Sequence, residues 1–414
     1  MLKALTIPSF RWLWTGQLFS QFGSAVFLVM GLWEIQLKDP FLLSVAGLAM
    51  MLPQLLAAFG GVVVDRGDAR KIMLFTDLVR GVAVLLGIML LLVSPDWRPW
   101  IIIGLLGINS LGSAFFGPAE GVMLPTLVPD QDLPSANGLY SLTYQLSSAV
   151  GSGIGGAAVA TVGVTLVFGF DLGSFWFSAL AILLMMRLTG GRRLKKSPSA
   201  VSQARAGLGL REGWRALQGF PWFIALLPIV VLTNFTFGGA FILLPYWVHH
   251  HLGASAAWYG LTSGAWAAGT VVGSLSTGWF SRFSVGKTVG VLGLAQAFMM
   301  GVFSMTHAAP VSAGALFVAG AGNGVINALM YTILQRAIPV EVRGRAFGVL
   351  VTVLGAANPL AALLAGLSLG VVPMIWWYIA AAMTGASLGA ALWLFVPKDL
   401  VSRTATTAGL ENRI

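Results

Sequence analysis

Runs of about 20 consecutive apolar residues fill almost the whole chain, and they constrain its fold more than any other feature. Hydrophobic residues make up 57% of the 414 positions, whereas charged residues make up only 9%. A helix of about 20 residues spans the ~30 Å hydrocarbon core of a bilayer. Inside that core every backbone N–H and C=O must be bonded within the protein, which a helix achieves by itself. The sequence therefore predicts an all-α protein that crosses a membrane many times.

Short polar breaks divide the apolar runs into twelve predicted spans. The breaks at 38–40, 94–96 and 129–132 each combine Pro with Asp, which is typical of turns. The predicted spans are 12–37, 41–64, 72–93, 100–126, 135–160, 165–188, 221–248, 256–280, 287–307, 311–335, 344–368 and 372–396.

Positive charge is distributed unequally between the two sides that twelve spans define. Of the 24 Lys and Arg residues, all but Lys38 and Arg98 lie at the termini, in the even-to-odd loops or at the adjoining helix ends. Because cytoplasmic loops carry an excess of Lys and Arg, this predicts a membrane protein with both termini in the cytoplasm. The net charge of +10 is then a topology signal and a contact for anionic membrane lipids, not a nucleic-acid surface.

The spans divide into two sets of six around a basic, low-complexity segment. We expect an N-terminal bundle (1–189), a cytoplasmic linker with a short amphipathic helix (190–220), and a C-terminal bundle with a cytoplasmic tail (221–414). The segment 61–71 has an echo at 278–287, which suggests distant repeats. Such repeats are common in alternating-access transporters, whose substrate site lies between them.

A cluster of charge interrupts the apolar sequence directly after span two. Residues 65–71 read DRGDARK, so five of the seven are charged. Topology explains the basic residues but not the acids, because Asp and Glu contribute little to orientation. Such a cluster can form salt bridges and helix-end contacts that close the cytoplasmic side. We predict a conformational latch made of Gly61, Asp65, Arg66, Arg70 and Lys71.

These five residues match a loop signature of the major facilitator superfamily, which the chain resembles over about residues 10–396. The segments 114–119, 127–129, 136–138, 170–171, 259–260 and 344–345 are similar to the branch that contains macrolide-efflux and enterobactin-export proteins. The resemblance implies twelve transmembrane helices in two pseudo-symmetric six-helix bundles. One departure concerns the G-P-x-x-G-G pattern of export branches. Ser152 stands where that pattern has Pro, which weakens the inference of antiport.

Enzymatic, metal and cofactor chemistry find no support in the sequence. The chain has no cysteine, which excludes thiolate sites and cysteine nucleophiles. His249, His250 and His251 are adjacent, so on a helix they point about 100° apart, and no acid lies near them. A GxGxxG pattern at 151–156 lies inside a predicted span with no strand before it. We therefore expect no enzyme, no metal and no cofactor.

Four acids fall within predicted spans, where charge is costly and usually functional. Asp77 lies one turn from Arg80, which predicts a structural ion pair. The candidates for proton coupling are Glu120, Glu34 and Asp171. Glu120 lies roughly 9 Å from the centre of span four, and loss of water there would favour its neutral form. Glu34 lies near the outer edge, where it can reach water, and Asp171 can instead tether a helix end.

Polar and aromatic residues on the spans expected to face a cavity are the candidates for substrate contact. Asn323, Asn327 and Tyr331 share one helix face, as do Gln17 and Gln21. For each residue, interhelical hydrogen bonding is the alternative. The full set is Gln17, Gln21, Tyr144, Gln145, Asn234, Phe235, Trp266, Asn323, Asn327, Tyr331 and Asn358. An apolar, aromatic cavity with few charges favours a bulky amphipathic or lipophilic solute.

The sequence thus predicts a monomeric secondary exporter that moves a drug-like or siderophore-like molecule by proton antiport and alternating access. Its partners would be a small-molecule substrate, protons and membrane lipids. A lipid or metabolite flippase or facilitator without proton coupling is the alternative, and Ser152 favours it. A channel or a non-transporting membrane scaffold is a candidate of another class. It would need a continuous pore or a large partner surface, and the sequence indicates neither.

Overall fold

The structure is a computed structural model that describes residues 2–190, 214–215, 217–280, 282–338 and 340–395. Every regular element in these ranges is a helix, which confirms the predicted class. The α-helices are α1 (Pro8–Lys38), α2 (Leu42–Met51), α3 (Ala57–Arg66), α4 (Ala69–Val93), α5 (Arg98–Leu127), α6 (Leu133–Thr161), α7 (Val164–Thr189), α8 (Pro221–Ile242), α9 (Leu244–His250), α10 (Ala256–Phe280), α11 (Val285–Met305), α12 (Ala309–Ala337), α13 (Val340–Leu367) and α14 (Ile375–Phe395).

The described helices provide the twelve predicted crossings. Nine of them are long and apolar enough to cross a membrane on length and composition alone. The other three crossings are α6, α10 and the broken helix formed by α2, the 3₁₀ turn Leu52–Leu56 and α3. The predicted and observed edges differ by no more than about one helical turn of 3.6 residues.

Proline accounts for the interruptions within two crossings. Pro53 lies at the start of the 3₁₀ turn between α2 and α3, and Pro245 lies at the start of α9. A proline has no N–H to donate and its ring crowds the preceding turn, so it breaks or kinks a helix. Spans two and seven are therefore each built from more than one helical segment.

Contacts group the chain into two compact units that do not follow the two halves of the sequence. Unit 1 comprises Met1–Arg205, Ile242–Gly264 and Ala362–Leu369. Unit 2 comprises Ala206–Phe241, Ala265–Ala361 and Gly370–Ile414. Unit 1 thus includes α1 to α7 together with α9 and one end of α10 and of α13. Most of the predicted linker, residues 191–213 and 216, lies outside the described residues.

Each unit has its own apolar core. In unit 1, Leu13 of α1, Met73 of α4 and Met185 of α7 are fully buried together. In unit 2, Leu217 is fully buried in a cluster with Leu334 and Ile338 at the end of α12. Leu217 therefore anchors the short helical turn before α8 to unit 2.

Candidate functional site

The charged loop after α3 is organised by Asp68, which caps the N-terminus of α4. Asp68 Oδ1 accepts hydrogen bonds from the Arg70 backbone N–H and from Arg70 Nε, each at 3.0 Å, and Oδ2 accepts one from Arg70 Nη2 at 2.9 Å. Arg70 Nη1 donates to the Gly190 carbonyl oxygen, just beyond α7, at 3.1 Å. The side-chain hydrogen bond from Arg70 holds the pKa of Asp68 below its ordinary value. The pair thereby joins the start of α4 to the end of α7.

Asp68 was missing from the predicted latch, although its position offered a signal. An Asp directly before the first residue of a helix accepts from the exposed N–H groups there. Of the predicted members, Gly61 is buried, whereas Arg66 and Lys71 are exposed. Neither of these two cations forms an ion pair with a residue that the structure describes.

The backbone beside Gly61 lies very close to α5. A Cβ atom on Gly60 would overlap the carbonyl oxygen of Ala114. That carbonyl would ordinarily accept from residue 118 in the helix, but Pro118 has no N–H. The contact therefore places α3 on the part of α5 where its hydrogen-bond ladder is interrupted. The side chain of Asp65 lies outside the described part of the chain, so its predicted role as a latch residue remains a prediction.

A buried polar network links α1, α4 and α7. Arg80 Nη1 lies 3.3 Å from Asp77 Oδ1, and Asp77 is fully buried, which confirms the predicted ion pair. Ser178 Oγ donates to Asp77 Oδ2 at 2.6 Å, and Gln17 Nε2 donates to Ser178 Oγ at 3.1 Å. Only 3% of the Gln17 surface is exposed, so Gln17 belongs to this network, and its predicted contact with substrate remains a prediction.

The other terminal nitrogen of the Arg80 guanidinium group, Nη2, faces α5. This nitrogen donates to the Asn109 carbonyl oxygen at 3.1 Å and to Ser113 Oγ at 2.8 Å. The guanidinium carbon also lies 5.7 Å and 5.6 Å from the ring centres of Phe116 and Phe175. A guanidinium held by hydrogen bonds and by aromatic faces is strongly oriented.

Glu120 lies on α5 beside α6. Glu120 Oε1 and the Tyr140 hydroxyl are both buried, and neither makes a hydrogen bond of ordinary geometry with the described residues. The two groups lie close enough to interact electrostatically, and Asp77 also acts on Glu120. The Tyr140 ring packs edge-on against Phe10 of α1, with centres 5.9 Å apart. Glu120 is therefore a largely buried acid that interacts with the phenol group of Tyr140.

Glu34 differs from Glu120 because it has a cationic partner. Arg98 Nη1 donates to Glu34 Oε2 at 3.1 Å, where the two side chains are 44% and 13% exposed, respectively. Glu34 lies in the last turns of α1, and its predicted role in proton coupling remains a prediction.

The third candidate acid, Asp171, lies on α7 in the interior of unit 1. Only 1% of its surface is exposed, and its Oδ1 makes no hydrogen bond with any described residue. Asp171 lines a narrow cleft together with Arg80 and Asn109. The structure therefore does not support the idea that Asp171 caps a helix end.

The remaining candidates in unit 1 are partly or largely accessible. Gln21 and Gln145 are half-buried, and Tyr144 is exposed. Gly156 of α6 packs very closely against α10. A Cβ atom on Gly156 would overlap the Ala256 carbonyl oxygen and crowd Gly260 of α10.

Unit 2 presents an amide and aromatic face on α12. Asn327 Nδ2 donates to Asn323 Oδ1 at 2.8 Å, which confirms that these residues share one side of the helix. One turn further, Tyr331 is 48% exposed, and its ring stacks on Phe347 with centres 5.5 Å apart. These three α12 residues combine hydrogen-bonding groups with an accessible ring.

The other unit 2 candidates lie on α8, α10 and α13. Asn234 is half-buried and donates from Nδ2 to the Val230 carbonyl oxygen at 2.9 Å. A Cβ atom built on Gly238 would lie 3.2 Å from Asn358 Oδ1, so α8 and α13 pack closely there. The aromatic candidates pack in pairs with ring-centre distances of 4.9 Å for Phe241–Trp266, 5.9 Å for Phe237–Trp266 and 5.7 Å for Phe235–Trp377.

Adjacent histidines and aromatic residues pack at the end of unit 1 that carries Lys38. Trp33 of α1 stacks on Tyr259 of α10, with ring centres 6.0 Å apart. His249 meets Trp33 edge-on at 5.4 Å, and the rings of His250 and His251 contact other aromatic residues.

Comparison with known proteins adds evidence that is independent of this geometry. A family model described as Major Facilitator Superfamily matches residues 13–362. Macrolide efflux protein A of Streptococcus pyogenes is 25% identical over 384 residues, which cover 89% of this chain and 91% of that protein. Multidrug efflux pump Tap of Mycolicibacterium fortuitum is 27% identical over 338 residues, which cover 78% and 79% of the two proteins.

Two solved structures share the arrangement of helices. A bacterial homologue of the iron transporter ferroportin, in an inward-facing state, aligns with a TM-score of 0.69 at 15% identity, covering 94% of this chain and 98% of that one. The xylose transporter XylE from E. coli, in an inward open conformation, aligns with a TM-score of 0.65 at 15% identity, covering 95% and 97%. At these identities the likeness concerns the fold alone.

Proposed function

The chain belongs to the Major Facilitator Superfamily, and from that premise we propose that it exports bulky amphipathic or lipophilic small molecules by proton antiport. One observation carries the proposal. Two relatives, one named as a macrolide efflux protein and the other as a multidrug efflux pump, each match more than three quarters of this chain. An efflux transporter is therefore the coarse function, and the substrate class and the coupling ion are the proposed part.

The residues available for contact favour an amphipathic solute over a small sugar or an anion. The α12 face offers two amides and the partly exposed ring of Tyr331, and the Trp266 cluster adds aromatic surface. None of the described candidates in unit 2 is charged. Aromatic rings with a few placed polar groups suit a large, mostly apolar molecule.

Proton coupling is proposed through Glu120. It forms no ion pair with a described residue, and its carboxyl oxygen lies beside the Tyr140 hydroxyl. A carboxyl group in dry surroundings is more stable as the neutral acid, whereas water stabilises its ionised form. Hydration of Glu120 in one conformation and its burial in the other would couple proton release to the change of conformation.

An uncoupled facilitator or flippase is the second candidate function. The observation in its favour is Ser152, which replaces the Pro of the export-branch pattern, and α6 runs from Leu133 to Thr161 without an internal proline. Such a protein would equilibrate its substrate across the membrane. It would not accumulate substrate against a gradient.

We further propose the orientation and assembly that follow from the charge distribution. Both termini would lie in the cytoplasm of a bacterial inner membrane, because the basic residues concentrate on that side. The transporter would work as a monomer, because its family is known from single-chain transporters. Anionic lipids would contact the exposed basic residues at that side.

The test uses the purified chain in proteoliposomes with an acidic lumen. A radiolabelled macrolide and the lipophilic cation ethidium serve as probes. Proton antiport predicts accumulation of at least one probe above its external concentration, and collapse of that accumulation by a protonophore. Equilibration that ignores the pH gradient would establish the uncoupled facilitator instead. Failure of both probes to enter faster than in empty liposomes would contradict the proposed substrate class.

A further inference from the structure

A carboxyl group that the proposed transport path does not use lies in the interior of unit 1. Asp171 is 1% exposed, and its Oδ1 has no hydrogen-bond partner among the described residues. On the α1 side it meets the backbone, since a Cβ atom built on Gly23 would lie 3.2 Å from Oδ1. Ser174 donates to the Asp171 backbone oxygen, not to the carboxyl group. The carboxyl oxygen is therefore dry and receives no described donor.

Among the described residues, the charged group that faces Asp171 is Arg80 of α4. Arg80 of α4 lines the same cleft and interacts with Asp171 electrostatically. Asp77 lies one turn from Arg80, and Glu120 of α5 interacts with Asp77. The parts of α1 near the cleft contribute Gly23 and Ser24, which carry no charge. The described interior therefore contains one guanidinium group and three carboxyl groups.

Asp77, and not Asp171, forms the ion pair with the Arg80 guanidinium group. It accepts from Arg80 Nη1 at 3.3 Å and from Ser178 Oγ at 2.6 Å, so both of its oxygens have donors. Arg80 in turn directs Nη2 to α5, towards the Asn109 carbonyl oxygen and Ser113. An ionised Asp171 would be a second buried anion beside a cation that is already neutralised. Burying an unpaired charge is far less favourable than burying the neutral acid.

We propose that Asp171 holds an exchangeable proton in this conformation, in a site shielded behind α1 and separate from Glu120. The inference rests on the proposed proton coupling and adds a second proton site to it. When water enters the cleft, the O–H bond of Asp171 breaks and its proton passes to that water. Arg80 then balances the new carboxylate, which loosens its pairing with Asp77. Because Asp77 is tied through Ser178 to Gln17, this change reaches α1.

Infrared difference spectroscopy tests the proposal without any substrate. All spectra are taken at neutral pH in a Glu120→Gln background, which removes the other buried acid that lacks a cationic partner. Exposed carboxylates are ionised at this pH. The reference protein should therefore show the C=O stretch of a protonated carboxylic acid. Adding Asp171→Asn should abolish that band, and Ser174→Ala, a neighbouring control on α7, should retain it.

A second variant keeps Asp171 in place and changes only the charge balance. Adding Asp77→Asn to the Glu120→Gln background removes the anion that neutralises Arg80. Asp171 should then become its counter-ion, and the carboxylic-acid band should disappear although Asp171 is still present. Persistence of the band in either Asp variant would overturn the proposal. Because these spectra need no transport, they can fail while export through Glu120 stands, and they can succeed in a protein that transports neither probe.

Discussion

Gly60 of α3 lies directly against the carbonyl oxygen of Ala114, the acceptor on α5 that Pro118 leaves without its helical donor. The absence of a side chain at residue 60 allows the two backbones to meet, and a Cα–H···O contact there is a weak compensation for the missing hydrogen bond. The contact joins the helix that leads into the charged loop to the helix that carries Glu120. The predicted latch and the proposed coupling acid thus lie on two helices that pack directly against each other.

Gly60→Ala should destabilise the protein, because the new methyl group would overlap the Ala114 carbonyl oxygen. Overpacking of this kind costs about 1–3 kcal/mol. Gly117→Ala is the matched control on α5, since a Cβ atom there meets nothing within 4 Å. Thermal unfolding in detergent should show a lower midpoint for Gly60→Ala alone. Equal midpoints for the two variants would show that α3 can move away from α5 without loss of folding stability.

Asp68→Asn should weaken the junction between α4 and α7. It removes the negative charge at the start of α4 and the ion pair with Arg70, and loss of such a charge at a helix N-terminus costs about 0.3–1 kcal/mol. The pKa of Asp68 is lowered in the folded protein, so its ionised carboxylate stabilises the fold fully at pH values above the ordinary pKa of about 3.9. This stabilisation is lost as the pH falls through the lower pKa of the folded protein.

Thermal midpoints of wild type and Asp68→Asn, compared across a pH series, test this assignment. The difference between them should stay constant from pH 8 to pH 5, roughly, and shrink only in stronger acid. Asp130→Asn is the control, since Asp130 is an exposed acid that forms no ion pair with a described residue. A difference that disappears near neutral pH would contradict the assigned pairing of Asp68 with Arg70.

Asp65→Asn should leave expression and folding near normal and sharply reduce transport. The basic residues of the loop already explain its orientation, so an acid there is expected to serve the closing of the latch. Efflux by the variant is compared with that of Asp39→Asn, which removes an exposed acid directly after the last residue of α1. Wild-type efflux in a well-folded Asp65→Asn protein would leave Asp65 as ordinary surface charge.

The proposed orientation can be read by labelling, since the chain has no native cysteine. Lys38→Cys should react with an impermeant thiol reagent added outside intact cells, whereas Lys71→Cys should react only after the membrane is opened. Both lysines are exposed, so a difference in labelling reports the side of the membrane and not burial. The reverse pattern would place both termini, and the charged loop, on the outside.

Local sequence patterns predicted the helices and one buried ion pair, but they did not predict the long-range contacts. Apolar runs identified the crossings because a bilayer leaves few other structures available. Asp77 and Arg80 were paired correctly, since three residues apart on a helix makes them neighbours. Ser178 lies 101 positions from Asp77, and Gln17 lies 161 positions from Ser178, so their meeting depends on how the helices pack.

The polar stripe on α1 shows the limit of such patterns most clearly. Gln17 and Gln21 share a face by spacing, but spacing does not tell which neighbour covers that face. In the structure Gln17 turns to Ser178 inside the bundle, and Gln21 is half-buried. The same is true of Glu34, whose partner Arg98 lies 64 positions away on α5.

Glu120→Gln should separate exchange from accumulation. A permanently neutral side chain removes the proton that can be released, so substrate should still exchange across the membrane but should not accumulate against a gradient. Glu34→Gln is the matched control, because Glu34 is already paired with Arg98. It should retain gradient-driven accumulation of the macrolide. Unchanged accumulation by Glu120→Gln would move the coupling role to another acid.

Proton antiport, the central claim, is tested most directly by following substrate and protons together in the same acid-lumen proteoliposomes. A pH-sensitive dye trapped in the lumen reports proton movement while the external macrolide is added. Proton antiport predicts that adding macrolide raises the lumen pH faster than it does in protein-free liposomes, and that Glu120→Gln abolishes the difference. Macrolide uptake by the wild-type protein with no change in the rate of proton loss would contradict it.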